Sequence, residues 1–352
     1  MGGFLGAGKT SLILAATRML ERRGLRCAVI LNDQGDELVD TQHAESLGLM
    51  AREVTGGCFC CRLSELTSAI EELRRSSPDV IFAEPVGSCT DLAATVIAPL
   101  EEFDRCRPAP FTVLIDPARL WVLGGERADA DLRFLFEKQI EEADLVVMSK
   151  ADLYPDAAAP QGVEARRLSA RTGQGVAEWV DEILGGAVEA GGRIAEVDYE
   201  RYARAEAALA WLNLSFVYVP ATPVSAAMVA GPLLDGIDEA LTAAGIPLVH
   251  LKLLDRSPAG WVKAALCANG APPHVEGHLD ASPVIRHDVL VNLRAKADPD
   301  CVRAIVKEQL ARLQGSLAEI HLSCFRPAPP QPERRMVRCK AAHGGYSGVA
   351  RS

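Results

Sequence analysis

The sequence predicts an α/β fold, a parallel sheet with helices on both faces followed by a smaller α+β domain, and three observations carry that expectation. Short apolar runs of strand type alternate with helical patterns through the first half. A Gly- and Ala-rich stretch from Gly185 to Arg193 then breaks the alternation. Beyond it the order becomes strand, helix, strands, helix, strand, a ferredoxin-like pattern.

Taken in order, Cys27 to Leu31, Val80 to Ala83, Phe111 to Ile115 and Leu145 to Met148 read as buried strands, because each is a short apolar run bounded by polar residues. Ser11 to Arg23, Ser64 to Arg75 and Ala130 to Glu142 carry helical periodicity between them. The first domain is thus expected over 1–185, a link over 186–203 and the second domain over 204–325. Within the latter, strand Leu212 to Val219, helix Ser225 to Ala244, strand Pro247 to Leu254, one or two further strands, helix Pro299 to Leu313 and strand Leu317 to Cys324 are expected. From Arg326 onward, prolines and then basic and small residues bury too little apolar surface to order themselves, which predicts a disordered tail over 326–352.

Of 352 residues, 49% are apolar and 24% charged, which supplies core for two domains. A formal net charge of -10 argues against a nucleic-acid or anionic-membrane surface, since phosphate backbones are bound by clustered Lys and Arg. No signal-peptide pattern opens the chain and no apolar run approaches the roughly 20 residues of a membrane span, so a cytoplasmic protein is expected. Ten cysteines in a reducing compartment point to metal rather than disulfides, above all where three fall within four positions.

Gly3-Phe4-Leu5-Gly6-Ala7-Gly8-Lys9-Thr10 satisfies the Walker A pattern, and an apolar helix, Leu12 to Leu20, follows at once. Glycines such as Gly3, Gly6 and Gly8 let backbone N–H groups, with those of Ala7 and Ser11 beside them, close on the β-phosphate. Lys9 bridges β- and γ-phosphates, the Thr10 hydroxyl takes a place on Mg²⁺, and the helix N-terminus faces the anion. A phosphate loop hangs from a buried strand, yet only Met1 and Gly2 precede Gly3, so the first strand is expected to be missing and a start codon assigned too far downstream is the favoured explanation. Glu84-Pro85-Val86-Gly87 places a carboxylate at a strand end three residues before a glycine, where a Walker B acid and a γ-phosphate-sensing glycine belong. At the end of another strand, Ser149-Lys150-Ala151-Asp152 is close to Asn-Lys-x-Asp: the Asp152 carboxylate can accept guanine N1–H and N2–H₂, and Lys150 packs along the base. Ser169-Ala170-Arg171 stands at the distance of a third base-contacting loop.

Gly56-Gly57-Cys58-Phe59-Cys60-Cys61 is the most distinctive segment, because thiolates in one short turn can converge on a soft or borderline cation. Cys58, Cys60 and Cys61 supply at most three ligands, leaving the fourth to water, a carboxylate or a partner's side chain. Buried inert thiols and a redox pair are the competing readings. His274 and His278 have helical spacing, but Pro272, Pro273 and Gly277 favour a loop, and metal binding there is a weaker candidate. Cys339 and His343 in the tail are weaker again. Cys27, Cys89, Cys106, Cys267, Cys301 and Cys324 read as isolated thiols.

In that order, the Gly-x-Leu-Gly-Ala-Gly-Lys-Thr type loop, Gly-Gly-Cys-x-Cys-Cys, Glu-x-x-Gly and Ser/Asn-Lys-x-Asp resemble the CobW family of metal-trafficking GTPases, related to the nickel-inserting GTPases of urease and hydrogenase maturation. The likeness covers about residues 1 to 185. It implies a GTPase bound to GTP or GDP and Mg²⁺ that carries Zn²⁺ or Co²⁺ to a client protein, with Lys9, Thr10, Glu84 and Gly87 in catalytic positions, Asp152 reading guanine, and Cys58, Cys60 and Cys61 holding the cargo. Asn32 to Asp40 looks like the family's acidic switch segment, whose Asp33 and Asp36 are further metal candidates. Two alternatives stay open: a GTPase chaperone for a corrinoid or other cofactor-dependent enzyme with a structural zinc, and a non-enzymatic metal-storage or sensing module. Homo-oligomerisation is left open too.

Overall fold

A computed structural model describes residues 1–35, 39–103, 106–125 and 128–336. The first domain runs β1 (Gly2–Gly3), α1 (Lys9–Arg22), β2 (Cys27–Asn32), α2 (Val39–Ser46), β3 (Met50–Val54), α3 (Leu63–Arg74) and β4 (Val80–Glu84). A π-turn, Ala93–Ile97, leads into α4 (Ala98–Glu101), then β5 (Thr112–Ile115), α5 (Pro117–Gly124), α6 (Ala130–Glu141), β6 (Leu145–Met148), β7 (Ala165–Arg167), α7 (Val176–Leu184) and α8 (Tyr199–Ala207). All strand pairs here are parallel, as buried apolar runs such as Cys27–Asn32 and Leu145–Met148 require. Helices cover both faces. On one, Leu12, Ile13 and Leu20 of α1 pack with Trp179 and Val180 of α7; on the other, Leu66 and Ile70 of α3 pack with Phe4 and Leu135.

The first strand, expected to be missing, is present as a two-residue stub that pairs Gly2 with Val113 and Gly3 with Leu114. Its shortness divides the sheet into β3-β2-β4 and β1-β5-β6-β7. The Met1 ammonium, donating to the Ala83 carbonyl at 2.8 Å, spans the seam.

The second domain runs β8 (Ala210–Pro220), α9 (Ala226–Ala243), β9 (Leu248–Ser257), β10 (Gly260–Leu266), β11 (His274–Gly277), β12 (His287–Ala295), α10 (Pro299–Ala311) and β13 (Gly315–Phe325), so three strands, not one or two, lie between its first β-α-β unit and its last helix. Its antiparallel order is β11-β10-β9-β12-β8-β13. Without the β10-β11 hairpin, the four remaining strands have the split β-α-β arrangement that the sequence suggested. Period-two alternation gives this sheet two unlike faces. Leu251, Leu253, Val291 and Leu293 pack under Val229, Leu233, Ile237, Val302 and Val306 of the helices. The opposite face carries buried Asn213, His250, Lys263, Asn292 and Arg294 and half-buried Lys252, and this polar face docks on the segment after β2.

The tail departs from expectation where it is described. Over 326–336 it lies along the first domain: Glu333 donates its N–H to the Cys60 carbonyl at 2.9 Å, and Met336 donates to the Ala94 carbonyl at 2.9 Å. Residues 337–352, with Cys339 and His343, lie outside the described residues. Among the described residues no helix is long and apolar enough to cross a membrane.

Beyond α6, Glu142 is fully buried and accepts hydrogen bonds from the Thr90 hydroxyl at 3.1 Å and the Ala93 N–H at 3.0 Å. Burial outweighs these bonds and pushes its carboxyl up to about 8. A carboxyl raised on folding stabilises fully below its unfolded value of 4.5 and loses that contribution as pH climbs through about 8. Urea midpoints measured between about pH 5 and pH 9 should therefore fall, and Glu142→Gln should flatten the fall, with Glu206, likewise raised to about 8, supplying the remaining slope. An unchanged slope in the variant would show that Glu142 ionises freely.

Candidate functional site

The phosphate loop is shaped by close approach. Gly3 has φ 131, and a Cβ there would sit 2.5 Å from the Leu114 carbonyl oxygen, so only glycine lets β1 pass β5 this tightly. Gly8, at φ 90, turns the chain into α1, whose first residues are Lys9 and Thr10. Lys9 is buried; its ammonium donates to the Gly3 carbonyl at 2.9 Å and stands 3.8 Å from Glu84 Oε1. Burial lowers the Lys9 pKa, and Lys252 adds to that push against the pull of Glu84. Glu84 ends β4 as expected, and burial raises it. Its Oε2 is a buried acceptor without a hydrogen-bond partner among the described residues, and the Thr10 hydroxyl neighbours the carboxyl. An orphaned carboxylate oxygen beside a hydroxyl is a donor set that suits Mg²⁺. Gly87 packs on the loop itself, where a Cβ would meet the Leu5 nitrogen at 3.0 Å.

These groups line a cavity of about 150 Å³ that takes in Gly6, Gly8, Lys9, Thr10, Ser11, Glu84 and Gly87. A second cavity of about 670 Å³ shares Gly8, Ser11 and Lys150 with it and adds Ala7, Asp152, Ser169 and Ala170. The two cavities thus share wall residues, and Lys150, Asp152, Ser169 and Ala170, expected at the base, all line the second. The Asp152 carboxylate accepts from the Ser169 hydroxyl at 2.6 Å and from Arg171 Nε at 2.8 Å. Burial works against its charge, but Ser169, its own backbone N–H and Arg171 hold it below the usual carboxylate range. Lys150, at φ 56, reaches Asp116 Oδ2 at 2.6 Å.

Sequence reasoning missed the roof. The hairpin of β10 and β11 lays Ala265, Cys267, His274 and Glu276 along both cavities, and β9, β10 and β12 turn His250, Lys252, Lys263 and Arg294 into the smaller one. Lys252 and Lys263 converge on one carboxylate of α2: Lys252 Nζ bonds Asp40 Oδ2, and Lys263 Nζ lies 3.3 Å from Oδ1. In spite of its burial, the two lysines hold Asp40 well below the usual range. Arg294, stacked 4.1 Å from the Trp211 ring centroid, donates to both Asp33 oxygens at 2.7 and 2.9 Å. Asp33 thus faces the second domain rather than the thiols, and Asp36 lies outside the described residues. His274 opens β11 and His278 follows its last residue, so a strand edge and its exit carry them rather than a helix, and among the described residues they belong to no group of metal-capable side chains. His278 Nδ1 instead accepts from the Trp261 N–H at 3.3 Å.

The cysteine turn closes through Cys61 and Arg62 N–H groups on the Cys58 carbonyl, at 2.9 and 3.0 Å, and leads straight into α3. Asn32, at the end of β2, braces it, donating to the Val54 and Gly57 carbonyls and accepting from the Phe59 N–H at 2.8 Å. The sulfurs of Cys58, Cys60 and Cys61 all lie within 4.8 Å of one another, Cys58 being 2.8 Å from Cys60 and 3.1 Å from Cys61. Contacts with Cys60, Cys61 and Cys89 hold Cys58 well below the ordinary thiol range, while Cys61 is pushed up to about 11. Three thiols so placed fit a soft or borderline divalent ion.

A family model described as the CobW/HypB/UreG nucleotide-binding domain matches residues 1–177. The zinc chaperone CobW of Pseudomonas aeruginosa is 32% identical over 180 residues, 43% of this chain and 47% of that protein. The zinc chaperone YjiA of Escherichia coli is 36% identical over 94 residues, 26% of this chain and 29% of that one. The solved structure of zinc-bound YjiA GTPase from Escherichia coli aligns over 88% of this chain and 96% of its own at 15% identity, with a TM-score of 0.32. The chain spans about half the length of the first of these relatives and less of the second. With the phosphate loop, the base pocket and the cysteine turn all inside the matched half, the chain belongs to the CobW/HypB/UreG family.

Proposed function

We propose that the chain is a GTP-hydrolysing metallochaperone that loads zinc or cobalt at Cys58, Cys60 and Cys61 and passes it to a client protein. The observation that carries this reading is shared scaffolding. The strand that ends in Asn32, brace of the cysteine turn, runs beside β4, which ends in Glu84 of the phosphate cavity. The zinc chaperones among the relatives support the cargo, and the Asp152 pocket supports guanine. Thr10 and Glu84 would hold Mg²⁺, which would draw charge from the β- and γ-phosphates. Lys9 and the Gly6-to-Ser11 backbone bind and orient the phosphates, and the second-domain roof excludes water. Lys252 stands ready to exchange Asp40 for a phosphate oxygen.

A structural zinc, in a chaperone for a cofactor-dependent enzyme, is the second reading, and the near-complete burial of Cys58 and Cys60 favours it. The two diverge on Cys60→Ser, which unfolds if the metal is structural and folds without metal transfer if it is cargo.

Three outcomes are expected. Asp152→Asn should lower GTP affinity by roughly 1 to 3 kcal/mol while leaving ATP affinity nearly unchanged, since a carboxylate accepting two guanine N–H groups is lost; equal losses for both nucleotides would remove guanine reading from this residue. Zinc affinity, titrated with GDP and with a non-hydrolysable GTP analogue, should differ by roughly fivefold or more, and zinc should shift the analogue's affinity relative to that of GDP by the same factor. Identical zinc affinities in both nucleotide states would separate metal from switch. Lys252→Met should slow single-turnover GTP hydrolysis at least about tenfold with GDP affinity little changed, and wild-type rates in that variant would leave Lys252 a purely structural partner of Asp40.

A further inference from the structure

Residues 331–336 lie across the cysteine turn, although their composition marks them for no structure at all. Pro327, Pro329, Pro330 and Pro332 each fix φ, so the stretch loses little chain entropy when it is laid down. Pro327 and Pro330 are buried three residues apart, the repeat of a polyproline helix, and Arg326 pins the start, donating to the Ala207 carbonyl at 2.7 Å and to Asp298 at 3.0 Å. Main-chain bonds then carry the segment over the thiols: the Gln331 N–H donates to Cys61 Sγ at 3.1 Å, the Glu333 N–H to the Cys60 carbonyl at 2.9 Å and the Met336 N–H to the Ala94 carbonyl at 2.9 Å. Two side chains make the hold specific. Arg62 stands at the N-cap of α3 and gives it no side-chain cap, and the Glu333 carboxylate supplies one, accepting from the Ser64 N–H at 3.0 Å and the Ser64 hydroxyl at 2.9 Å. Asp91 is 1% exposed, and beside the Tyr199 hydroxyl at 2.6 Å its carboxylate takes the fork of Arg335, at 2.7 and 3.2 Å.

We propose that Gln331–Met336 is a detachable strap that gates the cysteine turn: docked, it lies over Cys60 and Cys61 and slows traffic to the three thiols; released, it opens them. The purpose of the gate rests on the cargo reading of the turn, which this deepens. The contacts are of a kind that parts without unfolding either domain. None of residues 331–336 is buried, so their release exposes little apolar surface, and water can replace a helix cap and main-chain bonds at the rim.

The step that resists release is the parting of Arg335 from Asp91, because it leaves a buried carboxylate with the Tyr199 hydroxyl alone. Arg335 is therefore the latch, and Glu333 the second anchor. Arg334, between them, pairs with Glu102 at 2.8 Å where both are about half exposed, and such a pair holds little.

Alkylation of the metal-free full chain by iodoacetamide, read cysteine by cysteine by mass spectrometry with the exposed Cys301 as internal standard, tests the strap apart from any metal. Where opening is fast, labelling follows the open population, so each weakened anchor multiplies the rate. Glu333→Ala and Arg335→Ala should each raise the relative rate at Cys61 at least about threefold, and the double variant by about the product of the two. Arg335→Lys, which keeps the charge but not the fork, should raise it less than Arg335→Ala, and Arg334→Ala should leave it unchanged. Zinc should also pass from the loaded double variant to a chromogenic chelator at least about fivefold faster than from the wild-type chain. If Arg335→Ala does not fold, Glu333→Ala, which leaves Asp91 paired, carries both measurements. Wild-type labelling of Cys61 in a folded anchor variant overturns the proposal, as does an equal acceleration by Arg334→Ala or faster labelling with an unchanged rate of zinc transfer. A wild-type chain that binds no zinc at all, while the anchor variants still speed labelling of Cys61, leaves the strap standing and sinks the cargo reading instead.

Discussion

A buried cation must find a carboxylate, and that constraint fixes how the second domain sits on the first. The polar face of its sheet carries buried Lys263 and Arg294 and half-buried Lys252, and desolvating an unpaired ammonium or guanidinium costs several kcal/mol even after relaxation. Besides Glu276 of their own sheet, these charges meet Asp40 and Asp33, both of which belong to the segment that follows β2. Pairing them there has two effects at once. It holds that segment between two sheets, and it brings ammonium groups beside Lys9 and Glu84, where Lys252 perturbs both. The cavity around the phosphate loop is therefore built by two domains.

Such an arrangement is close to balanced and so can be rebalanced. Around the smaller cavity Lys9, Lys150, Lys252, Lys263 and Arg294 face Asp33, Asp40, Glu84 and Glu276. A polyphosphate entering with one divalent cation would bring net negative charge, which these cations would take up by loosening their hold on the carboxylates. The carboxylates with most to lose are Asp33 and Asp40, which these cations pair. Entry of an anion and the pairing of Asp33 and Asp40 would then be one electrostatic exchange.

How far all this could be read in the sequence depends on how local each feature is. The phosphate loop, Glu84 and Gly87, the Lys150-to-Asp152 turn and the cysteine turn are contiguous motifs, and the structure brings each to the space its chemistry needs. Buried strands announced themselves as apolar runs, but Met50–Val54 carries adjacent Arg52 and Glu53 and Ala165–Arg167 is a three-residue edge, so neither stands out from a loop. Lys252, Lys263 and Arg294 are polar residues alternating in ordinary strands, and nothing within ten residues of any of them hints at a phosphate. The stub Gly2–Gly3 shows the reverse error, because two residues suffice to pair where the neighbour strand is already in place.

The thiol group is sealed by parts that have no sequence link to it. Asn32 braces the turn from β2, and the tail crosses it, with Glu333 capping α3 through the Ser64 N–H at 3.0 Å and the Ser64 hydroxyl at 2.9 Å. Arg335 then fastens the tail to Asp91, at 2.7 and 3.2 Å, two residues past Cys89. Were an ion held by Cys58, Cys60 and Cys61, its exchange would require one of these walls to open, since ligand exchange at a thiolate site needs room for an incoming group. Of the enclosing parts, the tail is held by surface bonds at its edge, whereas Asn32 and the segment after β4 are wedged in the core beside the phosphate cavity. The tail is therefore the wall that opens at least cost, while the inner walls are shared with the phosphate-loop cavity.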